Sequence, residues 1–124
     1  MGMKQISLAD AVGVAIRDQA ASLIGAVIEE IDGVEVGVHL HSRPGEEAQK
    51  IAAAYRAGCR RFDMTLGGLG GCPFAQDTLV GNVATEAVLA ELKRLGAELP
   101  RLRPLDGLLT MSRFVASKFG PATQ

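Results

Sequence analysis

The 124-residue chain is 48% hydrophobic, 22% charged and only 4% aromatic, with no tryptophan. Thirteen Lys and Arg against fourteen Asp and Glu leave a formal net charge of -1 at pH 7, which offers no electrostatic footprint for nucleic acid or an anionic membrane. The length fits a single domain, residues 1–124, and no apolar stretch approaches the ~20 residues that a bilayer span requires.

Residues 4–10, KQISLAD, read as a short strand that ends in the carboxylate of Asp10. A helix is expected over 16–31, with Ile24, Val27, Ile28 and Ile31 at helical spacing and Gly33 as its stop. In VEVGVHLH (34–41) the alternation sends Val34, Val36, Val38 and Leu40 to one face, and Glu35, Gly37, His39 and His41 to the other. Pro44 and Glu46–Glu47 open a second helix, in which Ala48, Ile51, Ala52 and Tyr55 share a face and which Gly58 terminates. CRRFDMTL (59–66) reads as a third strand, with Arg56, Arg60 and Arg61 as solvated surface around its start. A glycine-rich loop runs from there through Gly81. A third helix is expected from about Val83 to Leu95 and a last one from Leu105 to Lys118, with a frayed GPATQ end. Strand and helix alternate three times, which predicts a parallel sheet with crossover helices and chemistry at the C-terminal strand ends.

That end gathers the residues able to do chemistry. His39 and His41 are the chain's only two histidines, and as a His-x-His pair they offer two nitrogens to one divalent ion. Two satisfied or surface histidines are the alternative. Cys72 lies in GGLGGCPFAQ (67–76), where Gly70, Gly71 and later Gly81 loosen the backbone. It is either a thiol that a mobile loop brings to a substrate as acid, base or nucleophile, or an incidental small residue in a tight turn. Asn82 is either the N-cap of the third helix or an amide oxygen offered to a metal. Asp10 and Asp63 are strand-end carboxylates, and Glu86 favours the first turn of its helix. Cys59, after a helix stop, belongs in the core. Neither cysteine is part of a CxxC and the N-terminus has no apolar signal core, so a reducing, cytoplasmic setting is expected.

Taken together, ISLAD (6–10), VHLHS (38–42), FDMTLGGLGGCPFAQ (62–76) and GNVATE (81–86) resemble the hydroxymethylglutaryl-CoA lyases of the DRE-TIM metallolyase superfamily. The GLGGCP element followed by GNxATE is specific to the lyase branch, whereas His-x-His marks the superfamily. The resemblance implies cleavage of 3-hydroxy-3-methylglutaryl-CoA to acetyl-CoA and acetoacetate with Mg²⁺ or Mn²⁺, a step of leucine degradation. It further implies His39, His41 and Asn82 as metal ligands and Cys72 as the thiol that handles a proton. Asp10 and Glu86 would orient the ligands, and the glycines would let the loop close over an acyl-CoA thioester. A related acyl-CoA or 2-oxo acid is the alternative substrate, since Ser42–Arg43–Pro44 stands where the family usually carries Asp-Thr-Tyr after the second histidine.

The fold implied is α/β, a partial TIM (β/α)8 barrel: three parallel strand–helix units, the sixth to eighth, plus a C-terminal helix. A whole barrel takes roughly 250 residues. The family's Asp-Arg pair at the end of the first strand has no counterpart here. The expectation is therefore a truncated product, a split subunit or a fragment. It would self-associate or take the missing half from a partner chain, and failing that act as a non-catalytic partial barrel.

Overall fold

A computed structural model describes residues 2–11, 13, 17–71 and 80–119. Cys72 and the remainder of the glycine-rich loop to residue 79 lie outside the described residues, as does the GPATQ end. Strands β1 (Gln5–Ala9), β2 (Glu35–His39) and β4 (Arg61–Asp63) form one parallel sheet in the order β1-β2-β4. Helices α1 (Arg17–Glu30), α2 (Glu47–Arg56) and α3 (Thr85–Arg94) follow these strands in turn, and α4 (Asp106–Phe119) ends the described chain. A second, two-stranded antiparallel sheet pairs β3 (His41–Ser42) with β5 (Gly81–Asn82). The α/β alternation expected from the sequence is thus present, and no described helix is long and apolar enough to cross a membrane.

Period-2 patterning divides the parallel sheet into two faces. Leu8, Val38 and Phe62 stand in register across the three strands, and Val38 is buried in a core with Ile24, Ile51, Ala54, Val88 and Leu92. The helices cover this face. The opposite face carries Gln5 beside Glu35, then Ser7, Gly37 and Arg61 in one row, then Ala9, His39 and Asp63 in the next.

Arg61 departs from the expected solvated role. Its guanidinium lies across the polar face, donating to the Ile6 carbonyl at 2.6 Å and to Asp63 Oδ1 at 3.1 Å. Position 37 must be glycine for this, because an added Cβ would lie 2.5 Å from Arg61 Cζ. Arg60 does stay exposed, stacked 4.2 Å over the Tyr55 ring.

Three local expectations shift. The third strand spans Arg61–Asp63 rather than 59–66: Thr65 makes only an isolated bridge to Ala84, and Leu66–Gly68 curls into a 3-10 turn. The buried side of α2 is Lys50, Ile51, Ala53 and Ala54 with Ala52, while Ala48 is exposed, so the helix is rotated from the expected face. The third helix starts at Thr85 with Ala84 in the N-cap position, two residues later than expected.

Cys59 is core, as its position suggested. It is fully buried, with the Arg61 carbonyl 3.2 Å and the Val36 carbonyl 3.5 Å from Sγ. Burial pushes this thiol above its usual range, since a thiolate would lose its water there. Helix α4 buries no residue fully, and Leu108, Met111 and Phe114 on it are more than half exposed.

Two outcomes follow from this packing. Ile51 is fully buried, so Ile51→Ala should lower stability by about 2–5 kcal/mol, read as an earlier urea midpoint. Iodoacetamide at pH 8 should label Cys59 only after denaturation, which peptide mass spectrometry checks; labelling of the folded chain at a free-thiol rate would contradict the buried placement.

Candidate functional site

The C-terminal ends of the parallel strands bring Asp10, His39 and Asp63 to one end of the sheet. His39 closes β2. Leu40 then turns into the core, and His41 opens β3 instead of continuing the same strand. The two histidines therefore belong to different sheets, contrary to the single strand expected, yet their rings meet edge-on with centroids 4.8 Å apart. His41 is buried at 4% exposure, whereas His39 is half-buried.

One hydrogen bond decides the chemistry of His41. Its Nδ1 lies 2.9 Å from the Asp10 main-chain oxygen. A carbonyl can only accept, so Nδ1 carries a proton, which leaves Nε2 as the ring nitrogen able to offer a lone pair. Asp10 is itself held: its amide donates to the His39 carbonyl at 2.9 Å, its carbonyl accepts from His41 and from the Gly13 amide at 3.3 Å, and its Oδ2 accepts from Lys50 Nζ at 3.0 Å.

Asn82 reaches the same place through β5, where it is the Cα partner of His41. It is not the helix N-cap that was one of its two readings. Its Nδ2 donates to the Leu69 carbonyl at 3.1 Å, which orients the amide and leaves Oδ1 as the remaining acceptor. That oxygen is buried and has no hydrogen-bond partner. A buried amide oxygen left unpaired costs on the order of 1–3 kcal/mol.

The glycine-rich stretch explains how Asn82 is framed. Gly68 and Gly70 both have positive φ, at 65° and 87°, and an added Cβ at either would press on Asn82, at 3.0 Å from its carbonyl oxygen and 3.2 Å from its Nδ2 respectively. The Asn82 amide donates to the Gly70 carbonyl at 3.2 Å, and an added Cβ on Gly71 would lie 3.3 Å from the Val80 carbonyl. Gly81 sits against the Gly70 carbonyl in the same way. Glu86 anchors the start of this stretch, its Oε2 accepting from the Gly67 amide at 3.1 Å.

A metal-ion donor set can be assessed on these observations. Among the described residues no group of three or more His, Cys, Asp or Glu is placed to hold an ion. Two imidazoles with an oriented, orphaned amide oxygen nevertheless fit as part of a divalent-ion site, a set suited more to Mn²⁺ than to Mg²⁺, which favours anionic oxygen.

Lys50 was not among the residues singled out from the sequence. It is 6% exposed, and its Nζ donates to Asp10 Oδ2, to the Gly13 carbonyl at 2.8 Å and to the His41 carbonyl at 2.8 Å. The available signal was its spacing: Ile51, Ala53 and Ala54 at +1, +3 and +4 put it on the inward side of α2.

The chain matches the HMGL-like family model over residues 1–115. It is 36% identical over 120 residues to the (R)-citramalyl-CoA lyase of Chloroflexus aurantiacus, covering 97% of this chain and 37% of that protein. The HMG-CoA lyase of Brucella melitensis superposes with a TM-score of 0.78 at 33% identity, covering 94% of this chain and 40% of that one. An HMG-CoA lyase from Acinetobacter baumannii, solved with coenzyme A and 3-methylmalate, gives a TM-score of 0.74 at 36% identity, over 95% of this chain and 38% of that one. The chain thus spans about two fifths of the length of these relatives, and its parallel strands and helices match part of their TIM-barrel fold. On the match over residues 1–115, with GLGGCP and GNVATE inside it, the chain belongs to the HMGL-like family and is by family a lyase.

Proposed function

We propose that this chain supplies the histidine–asparagine part of a divalent-metal site in a carbon–carbon lyase that cleaves 3-hydroxy-3-methylglutaryl-CoA to acetyl-CoA and acetoacetate. The observation that carries the reading is the orphaned Oδ1 of Asn82 in register with His41. His39, His41 and Asn82 are the proposed ligands of Mg²⁺ or Mn²⁺. Such an ion, when bound, supplies Lewis-acid stabilisation of charge on substrate oxygen.

The chain's own residues do the rest. The Asp10 carbonyl keeps the His41 proton on Nδ1, and the Leu69 carbonyl keeps the Asn82 amide from rotating. A retro-aldol split needs a base at the hydroxyl and an acid at the departing carbon. Cys72, although outside the described residues, is kept as the thiol that carries that proton on Sγ, two residues along the sequence from Gly70, which packs on Asn82. Glu86 holds the base of that loop. The three strand–helix units are read as coming from the second half of the barrel. One edge of β1 and one of β4 are unpaired among the described residues, and α4 exposes Leu108, Met111 and Phe114. Both features support association with a chain that carries further units, or with a second copy.

A second substrate reading is favoured by one comparison: the 36% identity with (R)-citramalyl-CoA lyase extends over 97% of this chain. Under it, the same residues cleave a related acyl-CoA.

Two measurements test the proposal. Mn²⁺ titration followed by electron paramagnetic resonance should show saturable binding. His41→Ala and Asn82→Ala should each weaken it by more than the roughly tenfold that losing an outer partner of a ligand costs. Unchanged binding in both variants would remove these residues from the site. Acetoacetate release from hydroxymethylglutaryl-CoA, with Mg²⁺ and a reducing thiol, should fall by about 10²–10⁴-fold in Cys72→Ser. Carbon–carbon cleavage of citramalyl-CoA in a parallel assay, without acetoacetate from the first substrate, would select the second reading. No cleavage of either by the folded chain would refute its action on its own.

A further inference from the structure

We infer that Lys50 is a positioning residue for His41, acting through Asp10, and that it sets the tautomer with which His41 meets its ligand. The inference rests on the metal-site reading above for its ligand, but its geometry stands independently. Lys50 Nζ, Asp10 and His41 form a closed triangle. The ammonium donates to Asp10 Oδ2 and to the His41 carbonyl, and the His41 ring donates from Nδ1 to the Asp10 carbonyl. The Gly13 carbonyl takes a further bond from Nζ at 2.8 Å.

Three features separate this from an ordinary ion pair. An ammonium has three N–H donors, and here three different oxygens receive them, so Nζ has neither a lone pair for attack nor an uncommitted proton to pass on. The side chains of both Lys50 and Asp10 are 7% exposed. A pair so deeply buried seldom stabilises more than apolar residues of the same volume would. What it does supply is orientation. Lys50 comes from α2, whereas its acceptors come from the end of β1, the segment after it, and β3. One cation therefore ties the Asp10 carboxylate, the Gly13 carbonyl and the His41 main chain together from outside both strands. With Asp10 and the His41 main chain held at this spacing, the ring keeps Nδ1–H on the Asp10 carbonyl and turns Nε2 toward its ligand. Without the ammonium, the spacing of that bond rests on the backbone hydrogen bonds of Asp10, and the second tautomer becomes accessible.

The test uses the 124-residue chain with Lys50→Met and with the double variant Lys50→Met/Asp10→Asn, which leaves no lone buried charge. Long-range proton–nitrogen NMR reads the His41 ring directly, amide spectra report the fold, and Mn²⁺ alone is the ligand probe. Wild type should show a single Nδ1–H tautomer without any metal. In a folded variant that signal should become a mixture, with Mn²⁺ affinity falling by about 10–100-fold. A folded variant that retains the single tautomer and binds Mn²⁺ within twofold of wild type would overturn the positioning role. So would an Nε2–H tautomer in wild type, or the failure of both variants to fold, which would make Lys50 a stabilising residue only. If wild type shows the Nδ1–H tautomer and the folded variants lose it, but no form binds Mn²⁺, the metal-site reading fails while the positioning role of Lys50 holds.

Discussion

Parallel pairing holds Leu8, Val38 and Phe62 in one row and Ala9, His39 and Asp63 in the next, and because successive side chains alternate, those rows face opposite ways. The apolar row must be covered, and α1, α2 and α3 cover it with Ile24, Ile51, Ala54, Val88 and Leu92. The polar row then has no choice of side. A slip of one residue in β2 would put His39 and Glu35 into the core and Val38 among Ser7, Arg61 and Asp63. The burial of Val38 at 1% exposure is thus what fixes the direction of His39, and through the β2–β3 turn the place of His41.

That dependence explains which parts of the molecule were legible in the sequence. The alternation of VEVGVHLH is a strict period-2 signal, and the helix stops at Gly33, Gly58 and Gly96 are positions where φ is 71°, 104° and 76°. Both are local, and both were readable. The rotation of α2 was not: with Ala at 48, 52, 53 and 54, hydropathy hardly distinguishes its faces, so packing between α1 and α3 against the core chose the face and took Lys50 inward. The shortening of the third strand was hidden for a related reason. FDMTL reads as strand, but the glycines at 67 and 68 adopt φ of 65° and draw Thr65 and Leu66 out of the ladder.

The site was legible in its membership more than in its wiring. His39, His41 and Asn82 were named from motif and resemblance, and the structure brings His41 and Asn82 into register. What no spacing rule contains is the antiparallel β3–β5 pair that does this, since two-residue strands leave no periodic trace. From the sequence the glycine run reads either as a mobile loop or as a tight turn. In its described part it is a matter of close approach: Gly68, Gly70 and Gly71 let main chain lie against Val80, Gly81 and Asn82, and the Leu69 carbonyl turns the Asn82 amide.

Charge at this end of the sheet is arranged in pairs. Asp10 has the Lys50 ammonium at 3.0 Å, and Asp63 has Arg61 at 3.1 Å and the Ser7 hydroxyl at 2.7 Å. The three proposed ligands, two imidazoles and an amide, are neutral. A dication gathered by neutral donors beside compensated carboxylates keeps most of its positive field, which favours an anionic oxygen in its remaining positions. Under the proposed function, a substrate carboxylate or alkoxide meets that requirement, so ion and substrate each raise the affinity of the site for the other. Lys50 serves this arrangement twice. It compensates the Asp10 charge, and through its bonds to the Asp10 carboxylate and the His41 carbonyl it holds the two residues at the spacing of the Nδ1–H bond.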